Sequence, residues 1–173
     1  MERFEITTER LVLTALGMAF LPSVNEYALD AENTKYMCHL PNKSSQETET
    51  FLRKVEAEWD KAKPAFYEFA MLHEGRHIGA VCVYFEDGVG ELGWIVNKRY
   101  WGHGFAYEGA MALIQFCAQH MGTTHFVAHC DTENVASYKT MEKLGMVRTG
   151  EYGGRMNRAA QRESSEYQYE LKL

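Results

Sequence analysis

Gly102 and Gly104 stand two apart between an apolar strand-like run, Gly90–Val96, and the clearest helical segment of the chain, Phe105–Met121. No other stretch limits the architecture as tightly. A strand must run into this junction and a helix must run out of it. Amide N–H groups in the first turn of a helix have no intrahelical partner, and the helix dipole adds partial positive charge there. Glycines let a bulky anion approach the backbone closely. Arg99, just upstream, adds a formal positive charge. The junction therefore predicts a seat for a pyrophosphate.

The rest of the pattern alternates between strand and helix. Arg10–Leu13 reads as a first strand and Pro22–Leu29 as a helix carrying Val24, Tyr27 and Ala28 at helical spacing. Asp30–Lys43 is polar and turn-rich. Ser44 with Glu47 fits a capping box, and Phe51, Leu52, Val55 and Trp59 follow as one core-facing stripe. Phe66–Leu72, Ile78–Phe85 and Gly90–Val96 predict an antiparallel meander, with turns at His73–Arg76 and Asp87-Gly88. In the long helix Ala106, Gly109, Ala110, Leu113, Ile114 and Cys117 share a side, and Gly122 caps it. A strand at His125–Cys130, a helix at Asn134–Leu144, and strands at Met146–Tyr152 and Tyr167–Leu173 complete an α/β (α+β) fold with a mixed sheet.

At 173 residues, 46% hydrophobic and 24% charged, the chain predicts one globular domain over residues 1–173. The formal charge of −6 argues against nucleic acid as a partner. Apolar runs are broken by Glu, His, Lys or Arg well short of the ~18–20 residues of a membrane span. Met1-Glu2-Arg3-Phe4 lacks a cationic-then-apolar signal, so a soluble, cytoplasmic protein without a membrane partner is expected. Cys38, Cys82, Cys117 and Cys130 show no paired spacing. They are expected to be reduced, buried thiols, and no metal is expected. His129 and Cys130 are adjacent in a strand and point to opposite faces, so they cannot share a ligand. Ten tyrosines and nine phenylalanines suit either a homodimer surface or the core.

The phosphate motif is neither of the common nucleotide patterns. No Gly-Lys-Ser/Thr follows, and Tyr107 stands where a dinucleotide fingerprint has its third glycine. Arg99-x-x-Gly102-x-Gly104 instead resembles the signature of the GCN5-related N-acetyltransferases (GNAT). Gly93-Trp94-Ile95-Val96, Tyr100–Glu108, Asn134-Val135-Ala136-Ser137 and Met141–Met146 resemble the branch of ribosomal-protein N-terminal acetyltransferases, the RimJ/RimL type. Thr8–Leu13 and Tyr169-Glu170-Leu171 extend the likeness over nearly the whole chain.

The resemblance implies a GNAT fold with a mostly antiparallel central sheet flanked by helices. It also implies acetyl-coenzyme A (acetyl-CoA) as cosubstrate and an amine as acceptor. On it, the pantetheine arm lies beside the strand ending at Ile95-Val96-Asn97. The pyrophosphate sits on the amides of Gly102, His103, Gly104, Phe105 and Ala106, near Arg99, and Asn134 and Ser137 face the thioester. Asn134 reads equally as a helix cap, Ser137 as an exposed helix serine and His103 as a solvent-facing side chain. Glu91 is the candidate general base, with a solvated edge-strand carboxylate as the plain alternative. The oxyanion is expected on main-chain N–H groups near Ile95–Asn97, with Ser137 or Tyr138 aiding thiolate departure. Many relatives have a Tyr acid where this chain has Met141, which carries no proton to give.

The acceptor pocket is expected from Met18–Trp59, including Tyr36 and His39, and from Gly153–Ser165. There Arg155, Arg158 and Arg162 read either as a solvated loop or as a mobile flap favouring an acidic or phosphorylated acceptor. An N-acetyltransferase acting on a protein N-terminus leads. A small-amine acetyltransferase for polyamines, amino acids or amino sugars, and a non-catalytic acyl-CoA sensor, are the alternatives.

Overall fold

The computed structural model describes residues 4–160 and 162–173; Met1–Arg3, with the missing signal pattern read there, and Gln161 lie outside them. The elements run β1 (Ile6–Thr7), β2 (Leu11–Ala15), α1 (Leu21–Ala28), α2 (Ser45–Trp59), β3 (Phe66–His73), β4 (Arg76–Glu86) and β5 (Val89–Val96). They continue through α3 (Phe105–Met121), β6 (His125–Asp131), α4 (Val135–Lys143), β7 (Val147–Asn157) and β8 (Arg162–Lys172). Among the described residues the strands form one sheet in the order β1-β2-β3-β4-β5-β6-β8-β7. Every pairing is antiparallel except β5 with β6. No described helix is long and apolar enough to cross a membrane.

The long helix begins at Phe105 and ends at a left-handed Gly122, as its periodicity and glycines predict. It lies against the sheet through Phe116, whose ring meets Phe69 at 6.0 Å. α1 covers His77 with Tyr27, and Phe20 ahead of it stacks within 4.8 Å of the same ring. Leu52, Val55, Phe69, Ile78, Val81, Leu113 and Phe126 are all but sealed from solvent at the centre.

Three local expectations are corrected. The Ser44 side chain makes no cap bond; the Glu47 carboxylate reaches back instead to the Lys43 amide at 3.0 Å, one residue earlier than a capping box requires. The Gly153–Ser165 connection is mostly strand. β7 and β8 pair out to Asn157–Arg162, crossing irregularities at Arg148/Gly150 and Tyr152/Arg155, and these register shifts erase the alternation by which a strand is read. Of the cysteines, Cys117 and Cys130 are buried while Cys38 and Cys82 are half-buried.

β5 and β6 pair only from Val89–His125 to Leu92–Ala128. Beyond Leu92, β5 runs on to Val96 without β6, and β6 turns its other edge to β8 as far as Asp131–Glu166. The sheet opens there.

Two buried titratable groups lie away from that opening. Burial pushes the Glu68 carboxyl on β3 up to about 7, although the Tyr84 hydroxyl donates to it at 2.8 Å. Burial pushes His77 on β4 down to about 4.

Candidate active site

A groove of about 880 Å³ passes through the opened sheet. One end is the glycine junction. Gly102 and Gly104 both take left-handed backbone, with φ of +79° and +78°, a conformation that side chains strain. This bends the chain so that α3 starts facing the groove, which Gly102, Gly104, Phe105 and Ala106 line. The free amides of that first turn provide donors for a diphosphate. The first turn also holds an acid, Glu108, which would oppose an anion. It is neutralised from β2's approach: the Arg10 guanidinium meets Glu108 at 2.6–2.7 Å. The Thr8 hydroxyl and the Arg10 amide donate to the same carboxylate at 2.6 and 2.8 Å. Arg10 also donates to the His103 carbonyl at 2.9 Å and stacks over Phe105. These contacts hold the Glu108 carboxyl below its ordinary range against the opposing effect of burial. In the sequence Arg10 reads as the start of a strand and as part of the family resemblance; its partner lies too far along the chain to be seen.

The middle of the groove is the stretch of β5 beyond Leu92, which pairs with β4 but not with β6. Ile95 and Val96 line it, as do Asn134, Ser137 and Met141 from α4. Asn134 caps α4, its side-chain oxygen accepting from the Ser137 amide at 3.3 Å. It is thus both cap and groove wall. Cys130 lines the groove as well, and burial pushes its thiol up to about 11 against the opposing effect of Ser137. Met141 is nearly sealed from solvent on the groove wall, and its thioether has no proton to give.

Several predicted residues sit elsewhere. Asn97, Arg99 and His103 do not line the groove. The Asn97 amide donates to the Ile78 carbonyl at 2.8 Å, so it is not free for an oxyanion. The Asn97 side chain supports the turn that follows, accepting from the Arg99 amide. The Arg99 guanidinium is largely exposed and reaches Glu26 at 3.4 Å. The His103 ring stacks on Phe105. The Val96 carbonyl is taken by Trp101 Nε1 at 2.8 Å and Asn33 Nδ2 at 3.0 Å. Tyr138 lines a separate small cavity of about 370 Å³ with Tyr167 and Tyr169.

The far end is walled by Tyr36, Met37 and Arg155. His39 is not part of it. Arg155 donates to Glu166, to the Tyr36 carbonyl and to Asn157 at 2.5–3.0 Å, and its side chain is only 11% exposed. Asn157 in turn donates to the buried carboxylate of Asp131. Arg158 pairs with Glu47 and its amide donates to the Met37 carbonyl; Arg162 pairs with Glu133. Arg162, 55% exposed on the hairpin, fits the solvated reading, whereas Arg155 and Arg158 are drawn inward. They are not a free flap reaching for an acidic acceptor, because each is bound to an acid of this chain. Arg155 and Arg158 stitch the β7–β8 hairpin to the α1–α2 connection across the groove.

Glu91 is not a groove-lining residue. Its carboxylate accepts from His129 Nδ1 at 2.9 Å, and His129 does line the groove. The hydrogen bond from His129 holds Glu91 below the usual carboxylate range, outweighing burial. Glu91 in turn raises His129 above the ordinary histidine value, with Gln168 adding to it. Sequence reading weighed His129 only as a metal ligand; among the described residues no group of three metal-ligating side chains occurs.

Residues 10–147 match the sequence profile of the Acetyltransferase (GNAT) domain. The uncharacterized N-acetyltransferase YnaD of Bacillus subtilis is 29% identical over 149 residues, covering 84% of each chain. A GNAT-family acetyltransferase from Bacillus anthracis superposes with a TM-score of 0.83 at 26% identity over 98% of both chains. RimL, the ribosomal L7/L12 alpha-N-protein acetyltransferase, solved in complex with coenzyme A, superposes with a TM-score of 0.87 over 98% of both chains. At 14% identity that likeness speaks for the fold alone.

Proposed function

The chain belongs to the GNAT family of acetyltransferases, and on that premise we propose that it moves an acetyl group from acetyl-CoA to a primary amine by direct attack, with the α-amine of a peptide as the favoured acceptor. One observation carries the reading. The groove joins the donor-rich start of α3, through the opening between β5 and β6, to the wall of Tyr36 and Arg155. A diphosphate-bearing thioester and an amine need such a path, entering from opposite ends and meeting inside the sheet.

The residues fit acetyl-CoA. The first-turn amides at Gly102–Ala106 are arranged for the diphosphate, and the edge of β5 that β6 leaves uncovered at Trp94 and Ile95 runs beside the pantetheine. Asn134 and Ser137 flank the thioester. Arg99, Asn97 and His103 support that loop from behind. Positioning of the two reactants supplies much of the rate in such a reaction. An α-amine, with an ordinary pKa of roughly 7.7–8, is far more often neutral near pH 7 than a lysine amine at about 10.4. RimL, whose fold this chain shares, acts on a protein α-amine. The proposal includes one working domain across residues 1–173 in a cytoplasmic setting.

The test is thiol release from acetyl-CoA with peptides bearing free or blocked N-termini, polyamines and amino sugars. Release with free but not blocked peptides is the expected result. Release with polyamines or amino sugars alone would move the acceptor class. Tight acetyl-CoA binding without release to any amine would make the chain a sensor and overturn the proposal.

A further inference from the structure

The connection between α1 and α2 supplies the far wall of the groove through Tyr36 and Met37. Its first turns are tightly wound. The Asp30 carbonyl accepts from the Thr34 amide at 3.1 Å and from the Thr34 hydroxyl at 2.7 Å, and the Thr34 carbonyl accepts from the Met37 amide at 2.9 Å. A displacement at residue 33 is therefore passed on to residue 36. One end of this short segment is fastened to the β7–β8 hairpin. There Arg155 donates to the Tyr36 carbonyl at 2.9 Å, and the Arg158 amide donates to the Met37 carbonyl at 3.0 Å. The other end is fastened to the end of β5 by one side chain. Asn33 Nδ2 donates to the Val96 carbonyl at 3.0 Å, and Asn33 Oδ1 accepts from the Lys98 amide at 2.6 Å. The Asn33 amide is held in turn by the Asp30 carboxylate at 2.8 Å. Both bonds of the carboxamide go to main chain, so they fix the segment along β5 as well as away from it. The Lys98 ammonium adds ion pairs to Asp30 and Glu32 at 2.8 and 2.7 Å, but exposed pairs on long side chains hold position weakly. β5 has already parted from β6 at this point, and residues 33–37 cross the opening from β5 to the hairpin.

We propose that Asn33 is a positioning residue for the acceptor: it sets how far the Tyr36 wall stands from the open edge of β5, and so where the amine arrives beside the thioester. The inference rests on the acetyl-transfer reading and deepens it. The donor's seat has supports of its own. The Val96 carbonyl also accepts from Trp101 Nε1 at 2.8 Å. The turn after β5 is held by the Asn97 side chain on the Arg99 amide and by the Tyr100 amide on the Asn97 carbonyl. Arg10 holds the His103 carbonyl. Removing the carboxamide leaves these bonds in place, while the Tyr36 wall is left to follow the hairpin. Two reactants that must meet in one geometry are sensitive to such a shift, and a misplacement of about 1 Å costs on the order of 10²-fold in rate.

The experiment compares wild type, Asn33→Ala and Asn33→Asp. It measures kcat/KM for two peptides that differ in the size of their first residue, beginning with Ala and with Phe, together with the acetyl-CoA Kd by calorimetry. Asn33→Asp keeps an oxygen for the Lys98 amide and sets a second oxygen against the Val96 carbonyl, so it breaks the bond to β5 with almost no change in side-chain volume. Both variants are expected to lose about 10–100-fold in kcat/KM for the better peptide, to bring the ratio between the two peptides closer to one, and to keep the acetyl-CoA Kd. That Kd also reports that each variant is folded around its donor site. A merely structural role would weaken donor and acceptor alike without changing the choice between peptides. An acetyl-CoA Kd that weakens in step with kcat/KM, or a peptide ratio equal to that of wild type in both variants, overturns this inference and leaves the acetyltransferase reading in place. A wild-type protein that transfers to no amine overturns both.

Discussion

Arg10 illustrates how a single side chain can matter to a ligand it need not touch. Glu108 sits in the first turn of α3, where a second negative charge would oppose a diphosphate. The Arg10 guanidinium cancels it and also holds the His103 carbonyl, turning the loop's amides outward. Arg10→Ala is expected to raise the KM for acetyl-CoA roughly 5–30-fold, equivalent to one or two kcal/mol, with a smaller change in kcat. Arg10→Ala/Glu108→Ala is expected to recover part of the loss, because the exposed charge is gone; steady-state kinetics at varied acetyl-CoA decides it, and an additive double variant would refute the electrostatic account. At this scale the sequence was informative where one local stretch suffices. Gly102 and Gly104 were legible from their own stretch of chain, Asn134 and Ser137 through the family resemblance, and all four line the groove. Arg10–Glu108 and Glu91–His129 were not, since each joins residues brought together only when the sheet forms. The Val96 carbonyl, bonded by Trp101 and Asn33, was hidden for the same reason.

Elements were read best where local signals agreed. α3 had helical period, a glycine at each end and a preceding strand, and its bounds match the expectation. The β7–β8 hairpin had no such agreement, because its polar, bulged strands carry no apolar alternation. A close approach between elements marks where β5 is most sensitive. A Cβ on Gly79 would stand 2.2 Å from the Ile95 carbonyl and 2.9 Å from Val96 Cα, both backbone atoms that cannot swing aside. Gly79→Ala is therefore expected to cost about 1–3 kcal/mol, as overpacked sites do, and to weaken acetyl-CoA binding by displacing the groove edge of β5. Denaturant unfolding together with calorimetry checks both effects; a stable variant with wild-type affinity would show that β5 yields freely there.

For the whole molecule, Glu68 and His77 set opposing dependences on pH. The folded state binds the Glu68 proton more tightly than the unfolded chain, so its contribution is complete below about 4.5 and is lost as pH rises to about 7. His77 acts in reverse: its contribution is complete above 6.5 and is lost as pH falls to about 4. Each shift is worth roughly 3 kcal/mol, so the two nearly cancel between pH 4.5 and 6.5. Glu68→Gln removes one side of the balance. Its stability relative to wild type is expected to grow as pH climbs from 4.5 to 7, measured by urea titration at several pH values; a constant difference would show that Glu68 stays ionised in the fold. None of this was visible beforehand, since burial of a lone Glu or His is a property of the assembled core.

The short seam between β5 and β6 has a mechanical consequence. Four residue pairs join the β1–β5 half of the sheet to the β6–β8–β7 half, like a board sawn partway along its grain. A thioester carrier laid into the cut acts as a tie-beam, replacing the missing rungs with its own amides. Saturation at about 100 times Kd is worth roughly 2.7 kcal/mol, and slowed amide exchange is expected on both lips of the cut together. Protection confined to the α3 lip would mean that the carrier rests on one half and leaves the other free to swing.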